Sequence, residues 1–255
     1  MLQAAYLRDR FALELKYQEL HAPLFSRRRD LINGPPGSDP KLRGFWLDAM
    51  KHHSVLSELI EPYDEPALAL LTDITMTEFE KDGTFGFELT FHFHPNNPYF
   101  KNATLSKRLV VSNLYSSGNP NVESNEGTVI EWNAGKKLTT VIEEQKVKRA
   151  SRGGKRGGVQ IIRKEVPRPS FFSYFATRQM PTQEEMQKMK DEELQHLNEA
   201  DYIEYMVSFT LRNKILPNAI DWYLGNAEDS DAEDDEDYEV EKKKKSFGGA
   251  YFFDD

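Results

Sequence analysis

Along the first thirty or so residues, apolar side chains return at steps of three, four and seven, at Leu13, Tyr17, Leu20, Leu24 and Leu31. Leu2, Tyr6, Leu7 and Phe11 widen the stripe toward the start. The spacing predicts one helix over residues 2–32, a rod of roughly 45 Å at about 1.5 Å per residue. Pro23 lies inside it and is expected to kink it or to interrupt one backbone bond. Asn33-Gly34-Pro35-Pro36-Gly37 ends it. So much apolar surface needs a cover. Packing on the chain's own body and pairing with a second copy both supply one, and the spacing leaves the choice open.

Residues 42–60 carry a second helical pattern (Phe45, Trp46, Met50, Val55, Leu56, Leu59), and Glu65–Leu71 a third. From Asp73 the period falls to two. Ile74, Met76 and Phe79 lead into Asp82-Gly83, a hairpin signal, and Phe85 to His94 then alternate strictly. Leu105–Asn113 and Thr128–Trp132 read as further strands. Lys137–Lys148 and Gly158–Val166 read as a pair around a glycine-rich turn. Helices return at Glu184–Asn213 and Pro217–Leu224, where Pro217 suits a first helical turn. Helices, then a meander of antiparallel strands, then helices again indicate an α+β fold.

Charge divides the chain. Of 42 acidic and 33 basic side chains, residues 225–255 hold twelve acids and four lysines. The remaining 30 acids and 29 bases nearly balance, but residues 145–168 hold nine bases and one acid. The protein is therefore an acidic body with an acidic tail and one basic arm, a field that favours basic partners and repels DNA phosphates except at the arm. There is no cysteine, which excludes a disulfide scaffold, thiolate metal sites and a cysteine nucleophile. No window approaches 18 uninterrupted apolar residues and the start has no signal-peptide pattern, so a soluble intracellular protein is expected.

Catalytic motifs are missing: no G-x-S-x-G, no H-E-x-x-H, no Walker or dinucleotide glycine pattern. His92 and His94 share one strand face and could offer two metal ligands, but nothing nominates a third; Phe91 and Phe93 facing the core explain the spacing better. Neither enzyme nor cofactor is expected. Arg152-Gly153-Gly154 and Arg156-Gly157-Gly158 admit three readings: flexible RNA contacts, a solvated hairpin tip, or a basic import signal. The polyacidic run (Glu228, Asp229, Asp231, Glu233, Asp234, Asp235, Glu236, Asp237, Glu239, Glu241) is expected to be disordered. It serves solubility alone or competes with DNA for a strongly basic protein. Ser230, followed by Asp231 and Glu233, fits an acid-directed kinase, whose phosphate would add charge to the same function.

Seven stretches, in order, resemble the nucleosome assembly protein family, including its SET/template-activating branch. They are Ala22-Pro23-Leu24-Phe25 with Arg27 to Asn33, and Gly44-Phe45-Trp46-Leu47. Asp64-Glu65-Pro66-Ala67-Leu68 with Leu71-Thr72-Asp73-Ile74 follows, then Phe91-His92-Phe93 with Asn97-Pro98-Tyr99-Phe100-Lys101-Asn102. The last three are Glu131-Trp132 with Gly135-Lys136, Ser170-Phe171-Phe172-Ser173-Tyr174-Phe175, and Lys214 to Ala219 with Asp221-Trp222-Tyr223. The short Gly34–Arg43 loop matches the SET-like branch, whereas the basic hairpin looks like the assembly-protein branch.

The resemblance implies a long dimerisation helix (residues 1–33, with Leu13, Tyr17, Leu20, Leu24 and Leu31 at the contact) and a short linker (34–43). After these it implies an "earmuff" histone-binding domain (44–225), with a four-stranded antiparallel sheet and packed helices, and a disordered acidic tail (226–255). It implies a homodimeric histone chaperone without catalysis or cofactor, binding the histone 2A–2B pair, the 3–4 pair or both, and promoting nucleosome assembly without ATP. Body contacts are expected at Asp64, Glu65, Glu199, Asp201 and Glu204, beside helices on the underside, and tail contacts at Glu228, Asp229, Asp231 and Glu233 to Asp237. The hairpin implies an import signal (Lys146, Lys148, Arg149, Arg152, Lys155, Arg156), import-factor partners and a protein shared between nucleus and cytoplasm. No membrane partner and no sequence-specific nucleic-acid binding are expected. The competing class is an RNA-binding or nuclear-transport adaptor working through the Arg-Gly hairpin.

Overall fold

The computed structural model describes residues 2–35, 40–81, 84–112, 121–148, 159–178, 181, 185 and 187–228. Helix α1, Leu2–Asn33, runs unbroken through Pro23. Residues 19–24 are all exposed, so the carbonyl that Pro23 leaves unpaired faces water and interrupts no packing. Its inward face carries Phe11, Gln18, Arg28 and Ile32. Phe11 stacks on Phe85 with centroids 4.9 Å apart. The Gln18 side chain donates to Met76 O at 2.7 Å and that of Asn33 to Thr72 O at 2.9 Å. Both acceptors lie on the first strand, so α1 shields a sheet edge that would otherwise offer open backbone groups.

That sheet is a plain antiparallel meander in the order β1 (Leu71–Lys81), β2 (Thr84–Phe93), β3 (Thr104–Ser112), β4 (Asn121–Gly127). Along β2 the residues Phe85, Phe87, Leu89, Phe91 and Phe93 all point into the core, as strict alternation requires. The fourth strand departs from expectation: it lies at Asn121–Gly127, and within 128–132 only an isolated Phe100–Trp132 bridge forms. β4 is polar because one inward position holds Asn125, which is paired rather than packed.

The second layer closes over the inward face. A 3-10 turn, Phe171–Phe175, sets four aromatic rings against β2: Phe91 meets Phe175 edge-on at 5.0 Å, and Phe172 joins Phe100 and Trp132. Before the sheet come α2 (Phe45–Lys51), α3 (Ser54–Leu59) and α4 (Glu65–Leu68), so the expected 42–60 helix is divided at His52–His53. After it come α5 (Asp191–Thr210), a π-helical turn (Leu211–Ile215) and α6 (Ala219–Leu224). α5 buries Ile203 and Val207, and the π turn buries Leu211 and Ile215. Strands β5 (Thr140–Lys148) and β6 (Val159–Pro167) form a separate two-stranded sheet.

Candidate functional site

The long helix has two apolar faces. Against the body, Arg28 lies over the rings of Phe25 and Trp46 (4.6 and 5.0 Å) and donates through Nη1 to Leu216 O at 2.6 Å. Nearby Asp73 is pushed up to about 6 by burial, an effect the Arg28 and Arg29 charges oppose. On the other face Tyr6, Leu13, Tyr17, Leu20, Leu24 and Leu31 are all between 48% and 63% exposed. A row of six large apolar side chains open to water on one helix marks an interaction surface.

Two of the five expected body contacts are corrected. Asp64 is fully buried: its carboxylate accepts from Ser170 Oγ at 2.7 Å, Phe171 N at 2.8 Å and Glu61 N at 3.2 Å. Burial pushes it up to about 6, and those hydrogen bonds pull the other way. Beside it the Tyr63 hydroxyl donates to Pro169 O, and the Arg168 guanidinium stacks 3.7 Å over the Tyr63 ring. The residues therefore tie the segment leaving β6 to the helical layer, and Asp64 has no face for a partner.

Glu204 is likewise sealed. On α5 it pairs with Lys107 of β3, and neither side chain has any exposure. Lys107 Nζ also donates to Asn125 Oδ1 at 3.1 Å and Ala176 O at 2.6 Å, while Asn125 Nδ2 donates to Glu204 Oε2 at 2.8 Å. Arg178 completes the cluster, with Nη2 2.7 Å from Glu204 Oε2 and paired with Asp201. Burial lowers the Lys107 ammonium, and Glu204 opposes that. Asp201, at the rim, is pushed up to about 6 by burial against the Arg178 charge. Two cations and two anions balance, as a dry cluster requires.

The other acids remain outside. Glu65 is half-buried and pairs with Lys51 at 2.6 Å, and the half-buried Glu199 accepts from Gln195 at 2.9 Å on α5. Glu228 is exposed where the described body ends; Asp229, Ser230, Asp231 and Glu233 to Asp237 lie outside the described residues. Lys146 and Lys148 lie on β5, whereas Arg149, Arg152, Lys155 and Arg156 fall outside the description. Side chains along the described part of the hairpin are mostly exposed, among them Ile142 and Ile161.

The two strand histidines do not converge. His92 Nε2 is 3.0 Å from Thr75 Oγ1, and burial lowers its pKa; His94 Nδ1 accepts from Asn96 N at 3.3 Å. Among the described residues no three His, Cys, Asp or Glu side chains gather as metal ligands, and no helix is long and apolar enough to cross a membrane.

The model of the nucleosome assembly protein (NAP) family matches residues 1–226, from the open helix to the root of the acidic tail. The chain belongs to the nucleosome assembly protein family. Nucleosome assembly protein 1;2 of Oryza sativa subsp. indica is 36% identical over 258 residues, covering 92% of this chain and 67% of that protein. Nucleosome assembly protein 1;1 of Arabidopsis thaliana is 34% identical over 260 residues, covering 94% and 65%. The chain spans about two thirds of the length of these curated relatives. The solved structure of nucleosome assembly protein 1 from Plasmodium knowlesi superposes with a TM-score of 0.65 at 28% identity, over 89% of each chain.

Within this NAP chain, sequence reading overlooked Lys107 and Arg178. Lys107 occupies an inward position in the alternation Leu105, Lys107, Leu109, Val111, all buried. A lysine there calls for a buried acid, and that signal was available. Arg178 carries none, because it reaches the cluster from an irregular segment.

Proposed function

We propose that this chain is a histone chaperone, a binding protein without a catalytic step, acting as a dimer through α1. Family membership over residues 1–226, joined to a polyacidic tail, carries the reading. The partner is a core-histone pair, 2A–2B, 3–4 or both, whose lysines and arginines meet this chain's carboxylates in charge-assisted, reversible contacts. On the body the contacts are Glu65, Glu199 and Asp201; on the tail they are Glu228, Asp229, Asp231 and Glu233 to Asp237, reinforced by phosphate on Ser230. The units are those of the resemblance: helix 1–33, linker 34–43, body 44–225, tail 226–255. Histones held this way are released to correctly wrapped DNA but kept from disordered aggregates, which drives nucleosome assembly without ATP.

The dimer follows from α1. Its exposed residues Tyr6, Leu13, Tyr17, Leu20, Leu24 and Leu31 are spaced 7, 4, 3, 4 and 7, a series that reads the same from either end. Two copies in antiparallel alignment about a point between Gln18 and Glu19 set Tyr6 against Leu31, Leu13 against Leu24 and Tyr17 against Leu20. Such an isologous contact closes on itself.

A second role for the basic hairpin rests on its open strands: Lys146, Lys148, Arg149, Arg152, Lys155 and Arg156 form an import signal for nuclear import factors, and the protein works in both nucleus and cytoplasm.

The deciding experiment is a salt titration of binding to each purified histone pair, beside single-stranded RNA, on protein of known solution mass. Tight histone binding by a dimer at about 0.3 M salt, where the Debye length is only some 6 Å, is the expected result. Deleting residues 228–241 weakens binding and flattens its salt dependence. RNA binding without histone binding would overturn the chaperone reading in favour of the adaptor.

A further inference from the structure

Helix α6 buries Ala219 and Trp222 and lays Tyr223 on Phe45 of α2 at 4.7 Å, yet its other face is bare. Ile220 and Leu224, one turn apart, are 54% and 59% exposed. Leu42, 42% exposed, lies just before α2, where its carbonyl accepts from the Phe45 amide at 3.1 Å. None of the three belongs to the α1 stripe. Charge of both signs is exposed on the same segments: Asp48 on α2 and Asp221 on α6, and Lys41 and Arg43 next to Leu42 in sequence.

The chain itself holds a segment with matching chemistry. α6 ends at Gly225 in the left-handed conformation (φ 70°), Asn226 N bonds back to Asp221 O, and Glu228 follows. Beyond the acidic run come Lys242 to Lys245, then Phe247, Tyr251, Phe252 and Phe253, then Asp254 and Asp255. Four aromatic residues lie between a cationic block and an anionic one, and the segments around the bare face likewise expose charges of both signs. Phe247 lies nineteen residue steps beyond Glu228. Extended they span about 65 Å, and as a flexible coil about 24 Å, so the segment reaches a helix only four residues from the tail's root.

We propose that residues 242–255 fold back onto the Ile220–Leu224 face of α6 in the same chain. The lysines lie toward Asp48 and Asp221, the aromatic rings cover Ile220, Leu224 and Leu42, and the closing aspartates lie toward Lys41 and Arg43. Docking turns the polyacidic run from a free end into a loop held at both ends, which keeps its carboxylates at high local concentration beside the body. The inference does not depend on which basic partner the run receives.

The cysteine-free chain gives a direct test in the full-length protein. One variant carries Leu224→Cys with Phe252→Cys, and a second carries Leu224→Cys with Asp235→Cys. For an undocked tail the longer 28-residue loop should close about fourfold more slowly than the 11-residue one, by loop-closure entropy alone. Docking reverses the order: on mild oxidation the Phe252 pair forms its intramolecular disulfide faster than the Asp235 pair. In parallel, replacing Phe247, Tyr251, Phe252 and Phe253 by alanine should speed amide exchange at Tyr223 and Leu224 while leaving the sheet amides unchanged. The four alanines fall outside the described residues, and the sheet amides serve as the control for loss of fold. The uninverted order, disulfides only between chains, or α6 exchange indifferent to the alanines would overturn the proposal.

Discussion

Lys107 of β3 and Glu204 of α5 pair inside the protein with no exposure of either side chain, which fixes the register of the long C-terminal helix on the sheet. Removing the Glu204 charge strands the Lys107 ammonium in a dry site, and removing Lys107 leaves Glu204 to Arg178 with half of its charge pairing gone. Glu204→Gln or Lys107→Met is therefore expected to lower folding stability by about 3–5 kcal/mol. The double variant Lys107→Met with Glu204→Leu, which leaves no orphan charge on the pair, should recover much of the loss. Denaturant unfolding of the three proteins measures this. Equal losses in all of them would mean that packing volume, not charge, decides the site.

Gly127 ends β4 where the 3-10 turn passes overhead. A Cβ there would lie 1.8 Å from Phe175 O, inside covalent-like range, and backbone rather than a flexible side chain is what it meets. Gly127→Ala must push the two segments apart, disturbing the bonds between Gly127 and the Thr177 hydroxyl. A loss of about 1–3 kcal/mol is expected, as for overpacking elsewhere. Gly135→Ala is a useful contrast, since no atom lies near its Cβ and only its positive φ of 70° resists. Thermal unfolding that ranks Gly135→Ala as the worse of the two would contradict this.

Both elements show what could be read from the chain and what could not. The alternation of Phe85 to Phe93 announced β2, and the recurrence from Leu13 to Leu31 announced α1. Phe11 falls in the same recurrence, but it faces Phe85 while Leu13 faces water, because the helix is apolar on two sides and a single-stripe reading merges them. β4 was missed because its inward Asn125 breaks the apolar alternation. Asp64 and Glu204 looked like surface acids because neither position's burial is encoded locally; it depends on Ser170 and Phe171, and on Lys107, all far away in sequence. Glu65 and Glu199 keep a partly open side chain, and Glu199 accepts from Gln195 one turn away on the same helix.

Asp64 also gives the stability a pH signature. Its carboxyl titrates at about 6 in the folded protein, raised by burial, against about 3.9 in an unfolded chain. The folded state thus holds this proton more tightly. The corresponding stabilisation is complete below the unfolded value and is lost as pH rises through about 6. Asp64→Asn cannot titrate, so the stability of the native protein relative to this variant should fall by about 2–3 kcal/mol between pH 4 and pH 7. Urea unfolding of both proteins across that range tests it. A constant difference would show that the hydrogen bonds from Ser170, Phe171 and Glu61 offset burial.

The mirror spacing of the α1 stripe leads to the most direct structural test. Leu13 and Leu24 are eleven residues apart on one helix, about 16 Å, so cysteines at these two positions cannot meet within a copy. Antiparallel pairing about the point between Gln18 and Glu19 brings Leu13 of one protomer to Leu24 of the other, twice. Leu13→Cys with Leu24→Cys should oxidise rapidly to a covalent dimer, while either single variant should oxidise slowly. A parallel pair would instead join like to like, so that Leu13→Cys alone would cross-link. If the dimer is held by this stripe, Leu13→Glu with Leu20→Glu should give a monomer by light scattering. The body should stay folded, because Phe11, Gln18 and Arg28 on the other face keep their partners Phe85, Met76 and Leu216. Rapid cross-linking of the single variants, or a charged stripe that still dimerises, would place the interface elsewhere.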